Sequence, residues 1–271
     1  MEIRLLGTGS AEGCPGLFCG CTICERSRVL GGRNLRSRTS ALVDGVLKID
    51  FPADTLHHVL TQNLDLTRLR ALLFTHAHND HFAVRELQYR AWMFVPRPLT
   101  DPLAVFGPCD VIQQVHAELD LDEARITTTG LMAWTPATVA GRTVTPIPAN
   151  HSPDLTCFNF LVSDGRTTLL YATDTGWYAE DTWGVLERQR LDAVVVECSK
   201  GMDENGYRAH LSVPEVIRFR RRLVESGSLP AAAPVVTTHH SHLSGMLHED
   251  LEAALNPQGI QVGWDGLVIR L

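Results

Sequence analysis

Six residues constrain this chain more than any others. His76-Ala77-His78-Asn79-Asp80-His81 carries three histidines and an aspartate directly after Ala71-Leu72-Leu73-Phe74 and Thr75. The apolar run reads as a buried strand, so the four polar side chains fall on a tight loop at its C-terminal end. Imidazole and carboxylate together suit zinc, manganese or iron. Four such donors in one short loop fit two metal ions better than one. The chain must therefore fold so that further ligands converge on this loop.

The rest of the sequence allows that. Its 271 residues are 44% hydrophobic and 20% charged, an ordinary globular balance for one large domain or two small ones. The net charge of −7 argues against nucleic acid as a partner and against a broad basic surface. No apolar run approaches a membrane span, and the N-terminus lacks a basic-then-apolar signal pattern. A cytoplasmic protein without a membrane partner is expected. Of the seven cysteines, Cys19, Cys21 and Cys24 form a tight C-x-C-x-x-C group. An odd, clustered set suggests thiols kept reduced for metal more than a disulfide framework. Cys14, Cys109, Cys157 and Cys198 read as inert small core residues.

Short apolar strands alternate with helical stretches throughout. Asp44-Gly45, Asp164-Gly165 and Asp265-Gly266 each mark a hairpin turn, the last inside a hairpin spanning Ile260 to Leu271. Helices are expected from Pro52 to about Asn63, Val84 to about Phe94, Pro108 to about Leu119, Val213 to about Glu225 and Leu247 to Leu255. Ser212 with Glu215 forms a capping box before the fourth of these. No linker or repeat divides the chain. The pattern predicts one α/β domain over 1–271, with two mixed sheets and helices outside, and a cysteine-rich loop at about 14–24.

Three more candidates sit where strands give way to loops: His151 after Asn150, Asp174 after Thr173, and His239 after Thr238. Asp50 ends another strand and reads either as a hydrogen-bond partner of a ligand histidine or as a surface turn. In order and spacing, the set from Thr75 to His81, then Asn150-His151, Thr173-Asp174-Thr175 and Thr238-His239, resembles the metallo-β-lactamase superfamily over nearly the whole chain. The resemblance implies an αββα sandwich with metals at one edge between the sheets. It assigns His76, His78 and His151 to a first metal, Asp80, His81 and His239 to a second, and Asp174 to a bridge. Two such cations about 3.5–4 Å apart activate water and polarise a phosphoryl or carbonyl oxygen. Zinc or manganese is expected ahead of iron.

The cysteine loop and Thr238-His239-His240-Ser241-His242 together resemble the PhnP-type cyclic phosphodiesterases of the bacterial carbon–phosphorus lyase pathway. That resemblance implies a structural zinc on Cys19, Cys21, Cys24 and His242. His240 leaves the register open, as a replacement for His239 or for His242. His210, before the capped helix, resembles the histidine that protonates the leaving alkoxide in the phosphodiesterase branch, so His210 and Asp80 are the candidate catalytic residues. The implied substrate is a small cyclic phosphodiester such as a 5-phosphorylated ribose 1,2-cyclic phosphate, and a homodimer is the implied assembly. Segments Phe82–Pro108 and the loop after Cys198 depart from that branch, which places substrate walls there. Lys200 and Arg208 are candidates for binding phosphate. Arg218, Arg220, Arg221 and Arg222 form a basic face, ordinarily just solvated. His57, His58, His116 and His248 read as surface or packing residues. Rival readings are a pyrroloquinoline quinone B-type oxidoreductase, a ribonuclease Z-like nuclease, and a metal-bearing regulatory protein without catalysis.

Overall fold

The computed structural model describes residues 1–97, 99 and 101–271. Fourteen strands are found among them, in two seven-stranded sheets. In chain order they are β1 (Glu2–Gly7), β2 (Ser40–Val43), β3 (Leu47–Ile49), β4 (Ala71–Leu73), β5 (Leu103–Pro108), β6 (Ile126–Leu131) and β7 (Ala137–Val139). The remainder are β8 (Arg142–Pro148), β9 (Phe158–Ser163), β10 (Thr168–Ala172), β11 (Ala193–Glu197), β12 (Val235–Thr238), β13 (Gln261–Val262) and β14 (Val268–Arg270). One sheet runs β14-β1-β2-β3-β4-β5-β6 and the other β13-β12-β11-β10-β9-β8-β7.

Period-two alternation decides the layering. Ala71 and Leu73 face inward onto Phe160, Tyr171 and Val195 of the other sheet, while Leu72 and Phe74 turn outward with Val105. Outside the first sheet lies the helix Cys109–Glu118, which contributes Val111 and Val115. On the second sheet, Val194 and Val196 face outward to the helices Glu180–Leu186, Val213–Glu225 and His248–Leu255 through Trp183, Phe219 and Leu251. Sheet faces sheet across one core, and helices cover both outer faces. This is the expected αββα sandwich.

Two hairpins form as expected, β2–β3 and β9–β10. The third does not. β13 pairs in parallel with β12, whereas β14 pairs antiparallel with β1, so the two strands join different sheets. The Asp265 carboxylate is tied to Thr8 Oγ1 at 2.7 Å and to the Ser37 amide at 2.7 Å. Those long-range bonds hold the Asp-Gly turn as a crossover, overriding its local hairpin preference. The segment expected as a helix from Val84 is instead a 3-10 turn ending at Arg90, with Val84 and Leu87 spaced by three on its buried side. Cys109 is exposed and so is not a core thiol; Cys14, Cys157 and Cys198 are buried. No helix among the described residues is long and apolar enough to cross a membrane.

β3, β4 and β5 run parallel, as do β10, β11, β12 and β13. β8 and β10 each pair antiparallel with β9, so they share a direction. The C-terminal ends of β3, β4, β8, β10, β11 and β12 therefore open on one edge, where the polar residues of the sequence collect.

Candidate metal centre

Three site residues adopt left-handed backbone at these strand ends: Asp50 (φ 58°), Asp174 (φ 48°) and His239 (φ 54°). For residues other than glycine this is strained by about 1–3 kcal/mol each, and it persists only where the surroundings enforce it. The turn folds each side chain back over the end of its strand. Asp50 is enforced from behind by Lys48, which is fully buried and whose Nζ donates to the Asp50 carbonyl and to Ser40 Oγ, both at 2.5 Å. Burial pushes the Lys48 ammonium down to about 7.

Two donor sets result. His76, His78 and His151 converge, with His78 Nδ1 lying 2.8 Å from His76 Nε2 and 3.0 Å from His151 Nε2. Asp80, His81, Asp174 and His239 form the second set. Asp174 Oδ2 lies 2.6 Å from His81 Nε2 and 3.4 Å from His76 Nε2, and its Oδ1 lies 2.8 Å from His239 Nε2. Asp174 thus reaches both sets, as a bridge must.

The ring orientations are set from outside. The Nδ1–H of His81 donates to Asp50 Oδ2 at 2.7 Å, that of His76 to Thr75 Oγ1 at 2.9 Å, and that of His239 to Ser199 Oγ at 3.0 Å. The Nδ1–H of His151 donates to the Ala209 carbonyl at 3.3 Å. Thr75 in turn donates from its amide and hydroxyl to Asp50. Each of these four rings is therefore fixed in the tautomer that turns a bare Nε2 toward the centre. His81 Nε2, His239 Nε2 and Asp174 Oδ1 are buried and make no aligned hydrogen bond despite their close neighbours. Donor atoms crowded this closely without aligned hydrogen bonds suit a shared cation.

Electrostatics agrees. Burial alone would lower the His81 imidazole, but Asp80, Asp174 and Asp50 hold it well above its ordinary value. Burial also opposes His239, yet Asp174 and Asp80 draw it up to about 10. Burial would raise Asp174, but His239 and His81 pull it well below the carboxylate range. In the first set burial wins, and His76 and His151 are held neutral as ligands must be. The carboxylate-rich half demands positive charge, and divalent ions supply it.

Cys19, Cys21, Cys24 and His242 form a separate group, with His242 Nδ1 3.8 Å from Cys19 Sγ and 3.6 Å from Cys21 Sγ. Three thiols and an imidazole match the closed donor set of structural zinc. Gly16 lets the loop pass this close, since a Cβ there would lie 2.9 Å from His242 Nε2. Cys21 stands just before a helix (Thr22–Leu30), and the amide of Cys24 helps lower its thiol. The open register is resolved here: His239 enters the metal centre, His242 enters the thiol group, and His240 enters neither. His240 is buried 3.3 Å from Thr237 Oγ1. Cys21→Ser should lower metal content by about one ion per chain and lower Tm by several degrees, read by elemental analysis and calorimetry. Unchanged metal content would contradict this site.

His210 lies beside the centre. Its Nδ1–H donates to Glu197 Oε1 at 2.7 Å, its ring stacks on His239 at 5.5 Å, and Nε2 is left for the cavity. Burial would depress this imidazole, but Glu197 raises it. Glu197 is fully buried and also accepts from Thr175 N, Leu211 N and Ser199 Oγ. Neither Glu197 nor Ser199 stands out by motif. Their one signal is position, since both sit at the end of a buried strand. Gly176 brings the His210 loop in, because a Cβ there would lie 1.8 Å from the Arg208 carbonyl oxygen.

A cavity of about 490 Å³ opens over the centre. The loop after Cys198 lines it as expected, but none of the described residues of Phe82–Pro108 does; several of them line a separate apolar cavity instead. Ser10 to Glu12 supply the other wall. Arg218 and Arg222 are paired with Glu204 and with Glu180 and Glu187, so that helix face is engaged within the protein. His58 and His248 are packing residues, bonded to Ser37 and Arg36, while His57 and His116 are exposed.

A profile described as the β-lactamase superfamily domain matches residues 40–240, most of the chain. The chain belongs to the metallo-β-lactamase superfamily. It is 24% identical to the coenzyme PQQ synthesis protein B of Azoarcus sp. (strain BH72) over 310 aligned residues, covering 100% of both chains. Its structure is similar to a diphosphatase of the PhnP family (TM-score 0.77, 20% identity, 100% of this chain and 97% of that one). It is also similar to Zn²⁺-bound PqqB from Methylobacterium extorquens (TM-score 0.79, 17% identity, 100% of both). The chain carries the metal-dependent hydrolase fold of this superfamily, and its His/Asp and Cys₃His groups are the candidate sites for divalent ions.

Proposed function

We infer that the protein is a dinuclear-metal phosphodiesterase that opens a small cyclic phosphodiester. The observation that carries this reading is the His210–Glu197 pair beside the two donor sets. A buried carboxylate bonded to a histidine raises that imidazole's hold on its proton next to an open cavity, which suits an acid for an alkoxide leaving group. His76, His78 and His151 would hold one ion, and Asp80, His81 and His239 the other, with Asp174 between them. Bound there, the ions supply Lewis-acid neutralisation of the phosphoryl oxygens and activation of a water.

The protein's own residues do the remainder. One water is added across a P–O ester bond, its oxygen joining phosphorus as that bond breaks. His210 Nε2 gives its proton to the leaving oxygen. Asp80, on the cavity wall, receives the proton lost by the water and passes it to solvent. Asp50, Thr75 and Ser199 keep the ligand rings from turning.

The test is a panel of cyclic phosphodiesters with product identification, beside bis-p-nitrophenyl phosphate, a lactone and a β-lactam. His210→Ala should lower kcat about 10²-fold or more on alkyl diesters and far less on p-nitrophenyl leaving groups. Equal losses on both would remove the acid role. A second reading, a PqqB-type protein, is favoured by the end-to-end match to its relative from Azoarcus. Acyl-bond hydrolysis, or no hydrolysis of any phosphodiester by the metal-loaded protein, would turn the choice away from phosphodiester chemistry.

A further inference from the structure

We propose that the substrate bears a single negative charge, on the reacting phosphodiester, and that its organic part is neutral with an aromatic or apolar face laid against Tyr207. This rests on the phosphodiesterase reading above and narrows its substrate class.

The charge of the cavity wall carries the argument. Apart from histidines, Lys200 is the one basic side chain lining the cavity among the described residues. Its ammonium lies 3.0 Å from Glu215 Oε2, and the side chain is 8% exposed. Glu215 is itself held in the capping box that starts the helix Val213–Glu225, so the Lys200 charge is matched by a carboxylate outside the cavity wall, although its Nζ makes no aligned hydrogen bond. Arg208 is exposed and does not line the cavity. Outside the metal centre, where Asp80 and Asp174 also line the cavity, the other charged groups of the wall are Glu12 and Asp203. A substrate phosphate outside the metal centre would bring about two further negative charges to a wall that already carries two carboxylates. Like charges in a partly enclosed cavity repel without a compensating cation.

Apolar surface supplies the other half. Tyr207 is 67% exposed and Leu243 80% exposed, and both line the cavity. The Tyr207 ring lies 5.7 Å from the His210 ring. His210 protonates the leaving oxygen, so the carbon skeleton bonded to that oxygen lies beside Tyr207. In a cyclic diester the leaving oxygen stays attached to the product, and the contact is kept through the reaction. A planar neutral group gains stacking there, whereas a phosphorylated arm gains nothing.

The experiment uses the metal-loaded full chain with three probes: adenosine 2′,3′-cyclic phosphate, ribose 1,2-cyclic phosphate and the 5-phosphate of the latter. The expected order of kcat/KM follows that sequence, with the 5-phosphate at least about tenfold below its unphosphorylated parent. Asp203→Asn should narrow that gap about threefold, since Asp203 is exposed and bonded only locally, to the Asn205 amide. Tyr207→Ala should raise KM for the adenosine compound with little change in kcat. Preference for the 5-phosphate, or a gap unmoved in Asp203→Asn, overturns the inference while leaving phosphodiesterase activity standing. If even bis-p-nitrophenyl phosphate is untouched, the inference falls together with the reading it rests on.

Discussion

Asp174→Asn is expected to lower kcat/KM about 10³-fold and to reduce the metal retained after dialysis from about three ions per chain to about two. Among the described residues, Asp174 is the one carboxylate within reach of both donor sets, at 2.6 Å from His81, 2.8 Å from His239 and 3.4 Å from His76. Two dications held close together repel strongly, and an anion between them offsets that repulsion. An amide keeps the size but carries no charge and offers one oxygen where two are used. Asparagine is the informative replacement because it tolerates the left-handed backbone at φ 48°, whereas alanine adds strain of its own. Elemental analysis and steady-state kinetics check the result. Full metal content with activity within tenfold of the parent would show that Asp174 is no bridge.

Glu197→Gln is expected to lower kcat about 10²-fold and to move the alkaline limb of the pH–rate profile to lower pH. The sign follows from His210. It must be protonated to act as an acid, and Glu197 at 2.7 Å raises its pKa against the effect of burial. Without that carboxylate the imidazole loses its proton at lower pH, so activity declines earlier as pH rises. Glu197 also accepts from Thr175 N at 2.9 Å, Ser199 Oγ at 2.8 Å and Leu211 N at 3.1 Å. An amide nitrogen facing any of these donors leaves it unpaired, so a stability loss of about 1–3 kcal/mol should accompany the kinetic effect. A purely structural role would lower Tm and leave the alkaline limb in place. Kinetics from about pH 6 to pH 10 on folded variant therefore separate the two.

The donor types were legible because they are local. His76 to His81 follow a strand within six residues, and Cys19, Cys21 and Cys24 lie within six more. The strand-end positions of His151, Asp174 and His239 were legible for the same reason, and so was the capping box at Ser212 and Glu215. Glu197 carried the same signal as Asp174, an acid at the end of a buried strand, but it fell in none of the stretches that carry the family resemblance, whereas Thr173-Asp174-Thr175 did. Its partner His210 lies thirteen residues away and meets it only in space. Lys48 was hidden in a strand read as apolar, because its ammonium is bonded to backbone and hydroxyl rather than to an acid.

By itself, then, the sequence determined the strands, their alternating faces and the chemical kinds of ligand, because these depend on side-chain period and on residues close along the chain. Only the tertiary structure decided which ligand serves which site. His239, His240 and His242 lie within four positions, yet a left-handed turn at His239 and a 3-10 turn at His242 send them to the metal centre, the interior and the cysteine loop. It also decided that Lys200 pairs with Glu215 instead of facing the cavity, and that Asp265 directs a crossover between sheets instead of a hairpin. Direction and partnership of side chains depend on backbone turns and on contacts made across the fold, and neither is contained in spacing along the chain.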